Sequence, residues 1–243
     1  MTALLEVYNL TKRFGGLVAN SEISFSLAKG EIVGLIGPNG SGKTTLFSCL
    51  SGFYRPDDGQ VRFGDRDVTG WAPERILHAG LARTFQIVRT FPEMSVLENV
   101  MVGAFARTQS EREAQTVARD ILEFAHLSAK SSMRGSDLTI ADKKRLEVAR
   151  ALATGPSLLM LDEVMAGLTP FERQEAVALI RTINARGIAV LLVEHVMEVI
   201  MPLSRRVIVL ESGRKIAEDT PEVIVRNEDV IAAYLGEKYR AAG

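Results

Sequence analysis

Gly37-Pro38-Asn39-Gly40-Ser41-Gly42-Lys43-Thr44-Thr45 follows an apolar run, Ile32 to Ile36, and precedes a helical pattern, Leu46 to Leu50. Strand, glycine-rich loop and helix in that order are the setting of a phosphate-binding loop. The glycines let the backbone curl so that several N–H groups converge on phosphate oxygens, and a helix starting near Lys43 turns its positive dipole end to the same place. Lys43 then supplies a mobile cation for the outer phosphates. The hydroxyl of Thr44 suits the coordination sphere of Mg²⁺, which keeps several waters and takes few protein ligands. A glycine-rich turn before a helix is purely structural in many chains. The full G-x-x-x-x-G-K-T spacing in this setting instead implies a nucleoside triphosphate site formed by Gly37, Pro38, Asn39, Gly40, Ser41, Gly42, Lys43, Thr44 and Thr45.

The chain has 243 residues, of which 47% are hydrophobic, enough for one compact domain with a subdomain. Its 29 basic and 30 acidic side chains nearly cancel, so the electrostatic footprint of a nonspecific nucleic-acid binder is missing and no nucleic-acid partner is expected. The single cysteine, Cys49, excludes an internal disulfide and falls in the helix after the phosphate loop, where a packed thiol is the expected state. The opening MTALLEVYNLTKRF lacks the apolar core of a signal peptide, and the apolar stretch Gly187 to Val193 is broken by Glu194-His195. We therefore expect a cytoplasmic chain with no membrane span.

Leu4 to Leu10, Glu22 to Leu27 and Glu31 to Ile36 read as short strands, the middle one with alternating Ile23, Phe25 and Leu27. Pro56-Asp57-Asp58-Gly59 makes a turn before a strand at Gln60 to Phe63, and Leu81 to Phe85 reads as another. From about Ser95 to Leu127 the pattern becomes helical, with Ala114, Val117, Ala118, Ile121, Leu122 and Ala125 on one face. Leu158 to Leu161 and Ile188 to Val193 are continuous apolar runs, typical of parallel strands covered on both faces, with helices at Arg145 to Ala153 and Phe171 to Ala185 as cover. Pro221 to Leu235 reads as two short helices ending at Gly236.

Asp162 and Glu163 end the buried run Leu158 to Leu161, where open α/β sheets place their ligand crevice. Asp162 is the candidate to hold Mg²⁺ through water, and Glu163 to orient or deprotonate the water attacking the terminal phosphate. Paired acids at a strand end are also found solvated or capping a helix. The phosphate loop is what favours the catalytic reading. His195 ends the parallel run Ala189 to Val193, where an imidazole can donate to a phosphate oxygen; a lone histidine is more often structural, and His78 and His126 are read that way. Gln86, after Arg83-Thr84-Phe85, carries an amide oxygen suited to the metal or the attacking water.

Taken in order, these motifs resemble the nucleotide-binding subunit of an ABC transporter, over nearly the whole chain. The resemblance assigns Phe14, in Lys12-Arg13-Phe14-Gly15, to stacking on adenine, Gln86 to the Q-loop, Asp162 and Glu163 to the Walker B pair, Ala166-Gly167-Leu168-Thr169-Pro170 to the D-loop and His195 to the switch histidine. It implies an α/β P-loop NTPase core with a mainly parallel sheet, an N-terminal antiparallel β subdomain and a helical subdomain inserted at about 88–139, all within one domain, 1–243. It further implies ATP and Mg²⁺ as cofactors, with Thr44, Gln86 and Asp162 at the metal, and Glu163, His195 and Gln86 as catalytic residues. RTFQIVRTFPEMSVLENV from Arg83 and VIAAYLG ending at Gly236 are more narrowly similar to the branched-chain amino acid importer class, in particular the larger of its two ATPase subunits. The implied partners are membrane permease subunits, a second ATP-binding subunit, and a separate solute-binding protein acting indirectly. The second ATPase is either an identical chain or a sister, the importer class implying a sister. The implied location is the inner face of the cell membrane. Arg89, Phe91 and Glu93, after Gln86, are the expected contacts to the permease's cytoplasmic helices.

The family signature, Leu-Ser-Gly-Gly-Gln, here reads Leu138-Thr139-Ile140-Ala141-Asp142. In the family this loop meets the terminal phosphate of ATP held by the opposite subunit. Thr139 keeps the hydroxyl but also suits a helix N-cap, with Asp142 three residues on as a short capping acid. Val164 stands where proline is usual after Glu163, and Val196 where an acid is common after His195. Two rival functions follow: a non-hydrolytic nucleotide sensor, which retained Glu163 and His195 disfavour, and a soluble ABC ATPase acting on ribosomes or DNA, which the single cassette disfavours.

Overall fold

The computed structural model describes residues 3–86, 90–194 and 196–240, with side chains through residue 234. Strands β1 (Ala3–Phe14) and β2 (Leu17–Ala28) form a long antiparallel hairpin around Gly15-Gly16, with Phe14 opposite Leu17. Strand β3 (Ile32–Ile36) leads into helix α1 (Lys43–Leu50). The hairpin strands are longer than the expected segments because they go on pairing with each other to the turn, Lys12 with Asn20, Arg13 with Val18 and Phe14 with Leu17; on its other edge β1 pairs with β4 (Asp58–Phe63), which in turn pairs with β5 (Arg66–Asp67). These four make an antiparallel sheet in the order β2-β1-β4-β5.

Helix α2 (Pro73–Ala79) precedes β6 (Leu81–Arg83). The expected strand to Phe85 stops early: the Phe85 N–H donates to Glu147 Oε1 at 2.9 Å, so the chain leaves the sheet for a carboxylate on a helix. Helix α3 (Val96–Ala104) opens with a capping box between Ser95 and Glu98, and α4 (Glu111–Phe124) follows. Helix α5 (Ile140–Ala153) begins five residues before the expected Arg145, because Thr139 caps it. Its Leu146, Ala149 and Ala153 pack with Val96, Val100, Ala114, Ala118 and Leu122 into one apolar cluster.

Beyond α5 the chain alternates strand and helix: β7 (Leu158–Asp162), α6 (Pro170–Ala185), β8 (Ala189–Val193), α7 (Met197–Leu203) and β9 (Arg206–Glu211). An antiparallel edge, β10 (Arg214–Asp219), and helices α8 (Pro221–Ile224) and α9 (Glu228–Arg240) follow. Helix α9 continues through Gly236, correcting the expected stop there. A helical glycine costs only about 1 kcal/mol, too little to end a helix by itself. The second sheet has the order β10-β9-β3-β8-β7-β6 and is parallel except for β10.

Every residue of β3, β7 and β8 is buried. Successive side chains on a strand face opposite ways. Leu158, Met160 and Leu191 therefore pack under α1 and the antiparallel sheet, where Phe47, Cys49 and Leu50 also lie. Leu159, Leu161, Val190 and Leu192 pack on the other face against α5, α6 and α7. Each such leucine is worth about 1.5–3 kcal/mol relative to its exposed state. Together they hold the carboxyl ends of β3, β7 and β8 in one plane, where the loops that follow meet.

Candidate functional site

At the end of β3 the loop Gly37 to Gly42 closes on itself before α1 starts. A side chain on Gly42 would put its Cβ 2.4 Å from Ala19 O and Asn20 Nδ2, and its φ of +99° lies in the left-handed region. Only glycine fits there. Asn20 Nδ2 donates to Gly42 O at 3.1 Å, and Gly213 N to Ser41 O at 3.1 Å, so β2 and the β9–β10 turn brace the loop from outside. Lys43 is buried in its curl, with Nζ 2.7 Å from Gly37 O, 2.9 Å from Pro38 O and 3.4 Å from Ser41 Oγ. A cation held this way by loop carbonyls sits where anionic oxygens would be received, next to the positive end of α1.

The loop forms one wall of a cleft of about 580 Å³. Thr44, Gln86 and Glu163 line it together, with Phe14 and Val18 at its outer end. Phe14 is 42% exposed and is met edge-on by Tyr54, the rings 5.2 Å apart at 77°, while Lys12 Nζ lies 5.4 Å from its centroid. The Phe14 ring is thus held by neighbours and still presents exposed aromatic surface at the cleft.

Asp162 lies beneath the cleft, 2% exposed, with Lys43 close enough for its charge to lower the carboxyl's pKa. Burial nevertheless raises that carboxyl above the usual carboxylate range, against the opposing pull of Arg83. Arg83 Nη2 donates to Asp162 Oδ2 at 2.8 Å, and Nη1 reaches Ser48 Oγ at 3.1 Å and Ser51 Oγ at 3.2 Å on α1. The sequence reading missed Arg83. The available signal was a charged residue closing an apolar strand three positions before Gln86, with hydroxyls at Ser48 and Ser51 one turn apart on α1.

Glu163 follows Asp162 with φ +51°, a left-handed conformation uncommon for a residue with a side chain. Its N–H donates to Val193 O at 2.9 Å, and its carbonyl accepts from Ala166 N at 3.2 Å and Lys144 Nζ at 3.1 Å. Glu163 lines the cleft, where Gln86 Nε2 donates to its Oε2 at 2.9 Å. Glu194, at the end of β8, accepts from Met165 N at 2.8 Å and so fixes the segment after Glu163. His195 and Arg89 lie outside the described residues; Phe91 and Glu93 are exposed.

Thr139 is seen capping α5: its Oγ1 accepts from Asp142 N at 3.2 Å and donates to Asp142 Oδ2 at 2.8 Å. The Asp142 carboxylate also accepts from Lys130. Burial would raise the Asp142 carboxyl, but the bonds from Lys130 and Thr139 outweigh it and hold it below the usual range. The negative charge that Asp142 brings to the signature loop is therefore balanced by Lys130, a partner that the sequence did not indicate. The loop from Ala166 ends at Thr169, which forms a capping box with Glu172 at the start of α6.

Chemically, the cleft combines a cation in a glycine loop, a helix N-terminus, and hydroxyl, amide and carboxylate oxygens. Thr44, Gln86 and Asp162 are hard oxygen donors, of the kind divalent cations with hydrated shells prefer. Among the described residues no helix is long and apolar enough to cross a membrane.

Comparison with known proteins places this arrangement among described relatives. The family described as "ABC transporter" matches residues 20–166, and the family "Branched-chain amino acid ATP-binding cassette transporter" matches residues 214–240. The chain is 44% identical over 250 aligned positions to the high-affinity branched-chain amino acid transport ATP-binding protein LivG of Escherichia coli, covering 96% of this chain and 98% of that protein. It is 41% identical, with the same coverage, to BraF of Pseudomonas aeruginosa, which bears the same description. Among solved structures it is similar to the ADP conformation of an ATP-binding cassette of an ABC transporter, at 30% identity and a TM-score of 0.88, covering 97% of this chain and 100% of that one. A nucleotide-free cassette matches at 30% identity and a TM-score of 0.87, covering 96% and 98%.

Proposed function

The chain belongs to the ABC transporter family of ATP-binding subunits, and from that premise we propose that it binds and hydrolyses MgATP to energise the import of branched-chain amino acids or related compounds through a membrane permease. The similarity to LivG and BraF over almost the full length supports the transport role and the solute class. The observation that supports hydrolysis is the 2.9 Å contact between Gln86 Nε2 and Glu163 Oε2 inside the cleft of the phosphate loop.

In this reading Phe14 offers its exposed ring to adenine, the N–H groups from Gly37 to Thr45 and the ammonium of Lys43 hold the phosphates, and Glu163 takes the proton of the attacking water. Thr44, Gln86 and Asp162 would hold Mg²⁺, which would supply positive charge against that developing on the phosphate oxygens. Gln86 Nε2, donating to Glu163 Oε2, orients the carboxylate that receives the water's proton. His195, following Glu194, donates to the terminal phosphate. Two ATP-binding subunits close face to face, each nucleotide between one subunit's phosphate loop and the other's Thr139 region. ATP drives closure because it touches both surfaces in the closed state and one in the open state. The region 88–139, with Arg89, Phe91 and Glu93, passes that movement to the permease, which keeps the chain at the membrane's inner face. A separate solute-binding protein delivers the solute.

The test is steady-state phosphate release by the chain with its permease. Glu163→Gln should abolish most turnover while ATP binding persists; turnover at the parental rate would remove Glu163 as the base. Copurification from detergent with a membrane protein supports transport, and copurification with nucleic acid supports a soluble ATPase acting there.

A further inference from the structure

Helix α5 buries three charged side chains, Asp142 in its capped first turn and, deeper along the helix, Lys144 and Glu147. Lys144 is 9% exposed and Glu147 4%, three residues apart and so on one face of the helix. Charges taken from water at this depth require specific partners, which separates them from a solvated helix face. Lys144 Nζ donates to the carbonyl of Glu163 at 3.1 Å, the residue whose backbone sits at φ +51°. Glu147 Oε1 accepts from the N–H of Phe85 at 2.9 Å, the residue immediately before Gln86. Gln86 in turn donates to the Glu163 carboxylate. The contacts form a closed ring from α5 through Lys144 to Glu163, across to Gln86, back through Phe85 to Glu147 and α5.

We propose that Lys144 and Glu147 are positioning residues for hydrolysis: they lock the backbone of Glu163 and the segment entering Gln86 to α5, the same helix whose capped end, Thr139, faces the opposite subunit's nucleotide. The proposal rests on Glu163 being the base. Helix α5 rises about 1.5 Å per residue, so Lys144 stands about 7.5 Å along a rigid rod from Thr139. A displacement of the helix end on closure is delivered to the Glu163 carbonyl through one hydrogen bond. Because Glu163 is held in a sparsely populated backbone region, releasing that bond lets its turn relax and swings the carboxylate. Misplacement of a reacting group by about 1 Å costs on the order of 100-fold in rate. The occupancy of one nucleotide site thereby sets the geometry of the base in the other.

The test uses the full chain assembled with its permease. Lys144→Met should lower kcat at least about tenfold while KM for ATP and the Kd for a non-hydrolysable ATP analogue stay within about twofold, the pattern of a group acting only in the transition state. Lys144→Arg, which keeps a donor, should recover most of that loss. In a Glu163→Gln background Lys144→Met should lower kcat no further, since its effect passes through the base. Parental kcat in Lys144→Met, equal losses in affinity and kcat, or additive losses in the double variant would each overturn the proposal. If the methionine variant does not fold, Lys144→Gln decides by the same kcat-against-KM comparison, and parental kcat there overturns it. An active Glu163→Gln protein defeats the assignment of the base itself; an inactive one beside a parental Lys144→Met defeats only the positioning role.

Discussion

Arg83 and Asp162 form an ion pair at 2.8 Å with side-chain exposures of 7% and 2%, and the guanidinium at the same time holds Ser48 and Ser51 of α1. The strand that ends at Asp162 and the helix that starts at Lys43 are thereby clamped from one point. Removing one member of a buried pair typically costs about 3–5 kcal/mol because the other charge is stranded. Arg83→Met should lose roughly 3 kcal/mol in urea unfolding, and Arg83→Lys less, since it keeps the charge but cannot span Asp162 and both serines. A methionine variant with the parental midpoint would show that the clamp contributes nothing.

Phe14, supported edge-on by Tyr54, is the exposed aromatic of the cleft. Stacking on a base is worth about 1–3 kcal/mol by alanine substitution. Phe14→Ala should therefore weaken ATP binding roughly 5- to 150-fold, with kcat at saturating ATP little altered. Titration with a fluorescent ATP analogue measures it; unchanged affinity would place the adenine elsewhere.

Ala141 takes the position of the signature's glycine, one residue into α5. Ala141→Gly should strengthen nucleotide-dependent closure of the ATPase pair by giving the loop closer approach to the opposite phosphate. It should also cost about 1 kcal/mol in helix stability. Size-exclusion chromatography of a hydrolysis-deficient background with ATP reads closure, and no gain would count against a trans contact at this loop.

Glu31 and Asp142 set an acid limit on stability. Burial alone would raise both carboxyls, but Arg206 and the Ala28 N–H for Glu31, and Lys130 and Thr139 for Asp142, hold them below their ordinary values of 4.5 and 3.8. A carboxyl depressed in the folded state contributes stability above its unfolded pKa and loses it as pH falls through the folded one. The thermal midpoint should hold steady above about pH 5 and drop as pH falls below about 4. Lys130→Met should be less stable at neutral pH and show a shallower drop. Parallel curves for parent and variant would mean that the pairing has no part in it.

The curled loop between β3 and α1 was legible because its residues lie within a short span of chain, so spacing and geometry are nearly the same statement. The strands ending at Asp162 and Val193 were legible because burial on both faces leaves an uninterrupted apolar run. Arg83 was not, since its partner lies 79 positions away and only the sheet order β8-β7-β6 brings them together. The early end of β6 was hidden for the same reason: Phe85 leaves the ladder for a carboxylate 62 positions on. Thr139 shows a different limit. A hydroxyl at a helix start suits both capping and phosphate, and within one chain it is engaged in capping. His195 lies outside the described residues and its assignment rests on resemblance.

Cys49, packed on the inner side of α1, is the chain's sole cysteine, 3% exposed, and burial pushes its thiol up to about 12. The thiolate is the reactive species toward maleimides, so the native protein should take up almost no label until it unfolds. A single cysteine engineered on the surface would then carry a fluorophore or spin label alone, with no cysteine-free background to make first. The proposed opening and closing of two paired subunits would thus be accessible to distance spectroscopy through one substitution per subunit.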